Sequence, residues 1–266
     1  LELLATDRWD AVIVKGIEAS GRVSTLASFV FLQNCLAEAK IPIWAHGGVG
    51  IHSSAGILGM GVRALVFDSQ FYLFDECNLP HFVKKVVAEF QGTDLATIGE
   101  KFGKSWQVFA KLGTKIVRDF KDREISLTAS DFDLFISKEV RPNLRKSYEE
   151  DRGIQGLYFL GQETALAKIF REKFSSIGHA FQSLYENALR AIELAVTKPV
   201  FTENNDVAEL LGAKYPIVQG AMAQVTDTPL FAKAVSDAGA LPFLAFANTP
   251  LHVAAELFRN TREILR

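Results

Sequence analysis

The sequence predicts an α/β fold in three parts: a partial (β/α)8 TIM-type barrel, a helical appendage, and the start of a second β/α barrel. Three observations predict it. Short apolar runs near the start end in glycine turns, at Lys15-Gly16-Ile17-Glu18-Ala19-Ser20-Gly21 and at Ala45-His46-Gly47-Gly48-Val49-Gly50. Stretches with helical spacing separate these runs, and that alternation is the pattern of a parallel sheet. Far downstream, Lys214-Tyr215-Pro216-Ile217-Val218-Gln219-Gly220-Ala221-Met222 reads as a fresh first strand.

The elements follow in order. Asp10-Ala11-Val12-Ile13-Val14-Lys15 is apolar throughout its middle and stopped by Gly16, the pattern of a strand buried on both faces. Leu26 to Ala39 carries apolar residues at helical spacing, Ile41 to Ala45 repeats the strand, Ser53 to Met60 supplies a short helix, and Ala64-Leu65-Val66-Phe67 makes a third strand. From Leu79 to Val200 the pattern changes to polar, weakly periodic sequence and then to amphipathic helices, clearest at Leu166 to Phe174 and Ala180 to Val196. Lys198-Pro199 and Thr202-Glu203-Asn204-Asn205-Asp206 form the candidate linker. Beyond it the grammar restarts, with strands at Tyr215 to Gln219 and Leu241 to Ala247 and helices at Pro229 to Ala238 and Leu251 to Leu265. The expected division is therefore 1–90 for the late half of a barrel, 91–200 for a mainly helical lid or linker, and 201–266 for the opening units of a second barrel.

Composition sets the class. The chain is 48% hydrophobic and 23% charged, enough for one or two ordinary cores. A formal charge of -2 without like-charge blocks gives no surface for a polyanion, so nucleic acid is not expected as a partner. No run reaches the roughly 18 to 20 apolar residues that span a bilayer, so no membrane is expected either. Cys35 and Cys77 are isolated thiols, which fits a reducing cytoplasm. Both ends look internal to a longer polypeptide, and neighbouring domains of the same chain are the expected partners.

A parallel barrel places its chemistry at the carboxyl ends of its strands, where backbone N–H groups often cradle a phosphate. Gly47 and Gly48 stand where such a loop should stand, since glycine lets the backbone approach an oxygen closely. Short glycine runs after strands are more often simple turns. Gly21-Arg22 also follows a strand, and the Arg22 guanidinium can contact an anion, although a surface arginine in a glycine-bracketed loop is the plainer reading. Asp68-Ser69 closes the third strand at the same mouth, where Asp68 either meets a ligand or caps the next turn. His46 and His52 flank the second turn, yet no third ligand has suitable spacing, so no metal is expected. His81, His179 and His252 are scattered singly and are assigned no chemistry.

At these residues the chain resembles the nitronate monooxygenase family, FMN-dependent TIM barrels related to flavin enoyl reductases. The family's Gly-x-Glu-Ala-Gly-Gly-His, Ala-Gly-Gly-Ile and Gly-Thr-x-Phe motifs become Gly16-Ile17-Glu18-Ala19-Ser20-Gly21-Arg22, Ala45-His46-Gly47-Gly48-Val49 and Asp68-Ser69-Gln70-Phe71. Leu160-Gly161-Gln162-Glu163 is similar to a Gly-Gln element of its lid, and Tyr215 to Met222 with Ala234 to Leu241 looks like its opening strand and helix. The combination resembles tandem domains of modular polyketide or polyunsaturated fatty acid synthases. The resemblance implies FMN as cofactor, held by Gly21, Gly47, Gly48, Asp68, Ser69, Gln162, Gly220, Ala221 and Met222, with Arg22 at the family's catalytic His position.

The departures matter as much. Arginine stays protonated and cannot act as a general base near neutral pH, though it can orient a nitronate, carboxylate or thioester oxygen. Asp68 replaces a glycine that approaches the phosphate, and its carboxylate repels a dianion unless turned away. Ala221 replaces a proline. The expected function is thus FMN-dependent oxidation of a small nitronate or carbanion-like substrate. The alternatives are FMN-dependent enoyl reduction of an acyl thioester, and a degenerate barrel kept as a structural element.

Overall fold

A computed structural model of the chain describes residues 9–111 and 113–265. The chain divides into two compact units, Leu1–Ile192 and Glu193–Arg266. In the first, the strands β1 (Val12–Lys15), β2 (Gly21–Arg22), β3 (Ile43–His46), β4 (Ala64–Val66), β5 (Leu95–Ile98) and β6 (Trp106–Phe109) form two three-stranded sheets. The helices there are α1 (Ser28–Glu38), α2 (Ser54–Gly59), α3 (His81–Glu89), α4 (Lys115–Ser126), α5 (Ala129–Phe135), α6 (Arg141–Glu149), α7 (Leu166–Lys173) and α8 (Ile177–Thr197), the last running across the division.

The first sheet is parallel, in the order β1-β3-β4, with Val14 opposite Ala45 and Lys15 opposite His46. Val14 and Ala45 point to the side covered by Leu32 and Cys35 of α1 and Ile57 of α2, all buried in one core. Each such side chain withdrawn from water contributes about 1.5–3 kcal/mol, so this face holds the unit together. The opposite face is open: Ile13 and Trp44, paired in register, are 51% and 41% exposed. Helices on one face and bare apolar side chains on the other are what part of a β/α barrel looks like, because the second face is the one a closed barrel turns inward.

The second sheet lies partly within the stretch expected to be mainly helical. β2, β6 and β5 pair antiparallel, with Arg22 opposite Trp106 and Ile98 opposite Trp106 on the other side. The turn between β5 and β6 is set by Gly99 and Gly103, at φ 83° and 66°. A Cβ on Gly99 would lie 2.2 Å from the Lys104 carbonyl oxygen, so the hairpin requires glycine. Four-residue strands in polar sequence carry little periodicity, which is why their pattern is weak. α4 and α5 cover this sheet through Phe120, Phe132 and Phe135, buried with Ile98 and Val108. The two strongest helical patterns form α7 and α8, and Phe170 of α7 and Phe174 just after it join Phe71 and Phe74 in a separate aromatic cluster.

The second unit contains α9 (Asp206–Leu211), α10 (Pro229–Asp237) and α11 (Leu251–Ile264). The helix starts are capped by side chains: the Asn205 side chain accepts from the Ala208 N–H, and the Thr228 hydroxyl accepts from the Phe231 N–H ahead of Pro229. The runs expected as strands meet only at a single parallel bridge, Val218 with Leu241. The exposed polar segment from Lys198 to Asn204 precedes α9.

Candidate functional site at the carboxyl end of the parallel sheet

His46 ends β3 with its side chain nearly buried, between Asp68 just after β4 and Glu163 from the short turn at Gln162–Ala165. His46 Nε2 lies 3.0 Å from Asp68 Oδ2 and 3.4 Å from Glu163 Oε1. Neither approach has the direction of a hydrogen bond, so His46 Nε2 and Glu163 Oε1 are buried without a hydrogen-bond partner. Backbone brings Glu163 here: its N–H donates to the Glu18 carbonyl at 3.0 Å. The preceding Gly161 crosses so near Ala19 that a Cβ would lie 2.2 Å from the Ala19 carbonyl oxygen.

Gln70 ties the cluster together. Its Nε2 donates to Glu163 Oε2 at 3.1 Å and to the Val49 carbonyl at 2.9 Å, while its Oε1 accepts from the Asp68 N–H at 2.9 Å. Asp68 Oδ1 accepts from the Ser69 N–H, and the Ser20 hydroxyl donates to Asp68 Oδ2 at 3.4 Å. Each carboxylate therefore has one oxygen fixed by the fold and the other aimed at His46.

The charges are strongly coupled. Burial disfavours imidazolium at His46, but Asp68 and Glu163 outweigh it and push the ring up to about 9. Burial also opposes ionisation of Asp68, yet His46, the Ser69 N–H and Lys15 hold this carboxyl below the usual range. For Glu163 burial prevails and raises it. Tyr72, pushed up to about 12 chiefly by burial, keeps its proton beside them.

The other residues singled out by sequence fall in different places. Arg22 lies exposed on β2, and among the described residues no carboxylate pairs with it. Gly21, Gly47 and Gly48 have φ of 69°, 111° and 66°. A Cβ on Gly47 would come within 2.6 Å of Ser28 Oγ, and one on Gly48 would touch the Glu18 side chain. Gly47 thus makes room for Ser28, whose N–H and, at 2.6 Å, hydroxyl donate to the Glu18 carboxylate at the start of α1. Ser69 is fully buried, with its hydroxyl unpartnered. Gln162 is exposed and borders a cleft of about 380 Å³ with Ile17, Thr97 and Gln107. Gly220, Ala221 and Met222 belong to the second unit and are exposed there. His52 is exposed, apart from the buried His46. Neither Glu163 nor Gln70 could be read from the sequence as converging on His46, because they arrive from separate turns; a lone acid after Gly161 in the short stretch Leu160 to Ala165 was the one available signal.

An FMN phosphate does not fit the loop after β4, although the Gly47, Gly48 and Val49 N–H groups after β3 bond to no other group among the described residues. It would meet an ionised Asp68 and a buried Glu163, and the backbone donors after β4 are already engaged, the Asp68 N–H by Gln70 and the Ser69 N–H by Asp68. At the start of α2, the Ser54 N–H is bonded to the Gly50 carbonyl. Two acids and an imidazole are a donor set for a cation or a proton, not for a dianion.

No protein-family model matches the sequence, and no curated protein matches it. Solved structures do. FabK from Thermotoga maritima is similar over 71% of this chain and 58% of its own, at 19% identity and a TM-score of 0.58. Nitroalkane oxidase from Streptomyces ansochromogenes is similar over 69% of this chain and 53% of its own, at 19% identity and a TM-score of 0.50. The chain thus spans between half and two thirds of the length of the structures it matches. At these identities the likeness is one of fold, and the chain has the α/β fold of part of a barrel of this kind.

Proposed function

We propose that the first unit is the late part of a barrel of the nitronate monooxygenase-like oxidoreductase class, carried in a longer multidomain protein, and that it has given up FMN at its strand ends. The observation that carries this reading is the His46–Asp68–Glu163 cluster, which puts two carboxyl groups at the strand ends beside the glycine loop that a phosphate would use. The fold shared with FabK and nitroalkane oxidase supports the class. The cluster's role on this reading is to lock three loops, those of Gly47-Gly48, Asp68-Ser69 and Gly161-Gln162, into a fixed rim for neighbouring domains. The test is a form of the protein extended at both ends, purified and titrated with FMN. A colourless protein that takes up no FMN is expected; stoichiometric FMN would overturn the reading.

A second reading keeps an FMN-dependent oxidoreductase acting on a nitronate or, alternatively, an enoyl thioester. Arg22 supports it, because an exposed guanidinium without a carboxylate partner among the described residues is suited to orient a substrate anion. No step through FMN follows from the residues present. Oxygen consumption with a nitronate, set against NAD(P)H consumption with an enoyl thioester, separates its two forms, and Arg22→Ala lowering either rate would favour it over the first reading. A reducing cytoplasm suits either reading, given the two free thiols, Cys35 and Cys77.

A further inference from the structure

We propose that His46 Nε2, Asp68 Oδ2 and Glu163 Oε1 form a site for one divalent transition-metal ion of the Mn²⁺ or Zn²⁺ kind. The three atoms lie within 4.8 Å of one another. Ligands about 2.0–2.2 Å from one ion, at angles between octahedral and tetrahedral, stand roughly 3.0–3.4 Å apart. The separations from His46 Nε2, 3.0 Å and 3.4 Å, match two edges of such a coordination polyhedron.

Two further observations point to an ion. His46 Nε2 and Glu163 Oε1 are buried and make no hydrogen bond of good geometry, so only the charge contact among His46, Asp68 and Glu163 compensates them, and a metal at their centre would satisfy both atoms directly. The remaining oxygens are held as an outer shell holds ligands: Glu163 Oε2 accepts from Gln70, and Asp68 Oδ1 from the Ser69 N–H. One nitrogen and two carboxylate oxygens suit Mn²⁺, Zn²⁺ or Fe²⁺ better than a soft ion such as Cu⁺. The Asp68 side chain is 31% exposed, which gives an ion a route in from solvent and leaves room for water on the open side.

The site does not depend on the loss of FMN, and the two readings fail separately, one by flavin uptake and the other by metal uptake. The full chain, stripped with a chelator, is titrated with MnCl₂ while free Mn²⁺ is followed by electron paramagnetic resonance, and with ZnCl₂ against a chromogenic chelator. Uptake of one ion per chain and a raised Tm are expected. Asp68→Asn and Glu163→Gln should each weaken binding at least about tenfold, with far-ultraviolet circular dichroism confirming the fold, while Glu203→Gln in the second unit leaves it unchanged. No stoichiometric uptake of either ion by the folded wild-type chain overturns the proposal. So does unaltered affinity in a folded Asp68→Asn or Glu163→Gln protein.

Discussion

In the first unit Val14, Ala45 and Ile57 vanish into a core beneath a three-stranded sheet, whereas in the second Val218 meets Leu241 at one bridge and Leu210, Leu230 and Leu251 remain 85%, 78% and 86% exposed. Both stretches carry the same β/α pattern. Among the described residues of the second unit only Ala208, Thr226, Ala232, Ala245 and Thr261 are buried, all of them small. The contrast shows that amphipathic spacing is enough to form a helix but not a sheet. A strand is stabilised by neighbours on both edges and a covered face, and two strands alone are marginal in water.

Substitutions sharpen that contrast. The largest effect is expected from Phe170→Ala, which empties a fully buried position against Phe67, Phe71 and Phe74. Urea unfolding should show the first unit losing about 3–5 kcal/mol. Gly161→Ala comes next, at about 1–3 kcal/mol, because its Cβ overlaps the Ala19 backbone and the turn presenting Glu163 must shift.

The cluster predicts a pH dependence of similar size. In chelator, the His46 pKa of about 9 lies above its ordinary 6.5, so its stabilisation is complete below that ordinary value and is lost as pH rises through the higher one. Glu163, raised by burial, pushes in the same direction at lower pH; Asp68, lowered, acts oppositely, contributing above its ordinary range and losing that as pH falls. Tm of the metal-free chain should therefore fall between mildly acid and alkaline pH by the equivalent of about 1–3 kcal/mol, and His46→Gln should flatten the curve. The smallest effect belongs to the second unit: Leu230→Ala, at a position 78% exposed, should change stability by no more than about 0.5 kcal/mol. A large loss there would mean that its apolar surface is covered in solution, which would break the comparison.

Much of the fold was legible. The run Val12 to Lys15 and the amphipathic stretches that became α1 and α10 are local signals, written within a few residues of where they act. The antiparallel sheet was not legible, because β2 has only two residues and β5 and β6 have four each. Of the site, position at the strand ends was readable for Gly47, Gly48 and Asp68, whose motif places them after β3 and β4. Their company was not: Gln70 bonds to Glu163 across 93 positions of chain.

Sequence by itself determined the parallel β/α units of the first sheet, the glycine turns and the chemistry available at the sheet's carboxyl end, because propensity and turn geometry act over a few residues. Only the tertiary structure decided that Ser28, held by Glu18, would pack against Gly16 and Gly47, and that His46, Asp68 and Glu163 would meet. Burial turns that meeting into coupled charge, and no burial exists until separate loops have packed together.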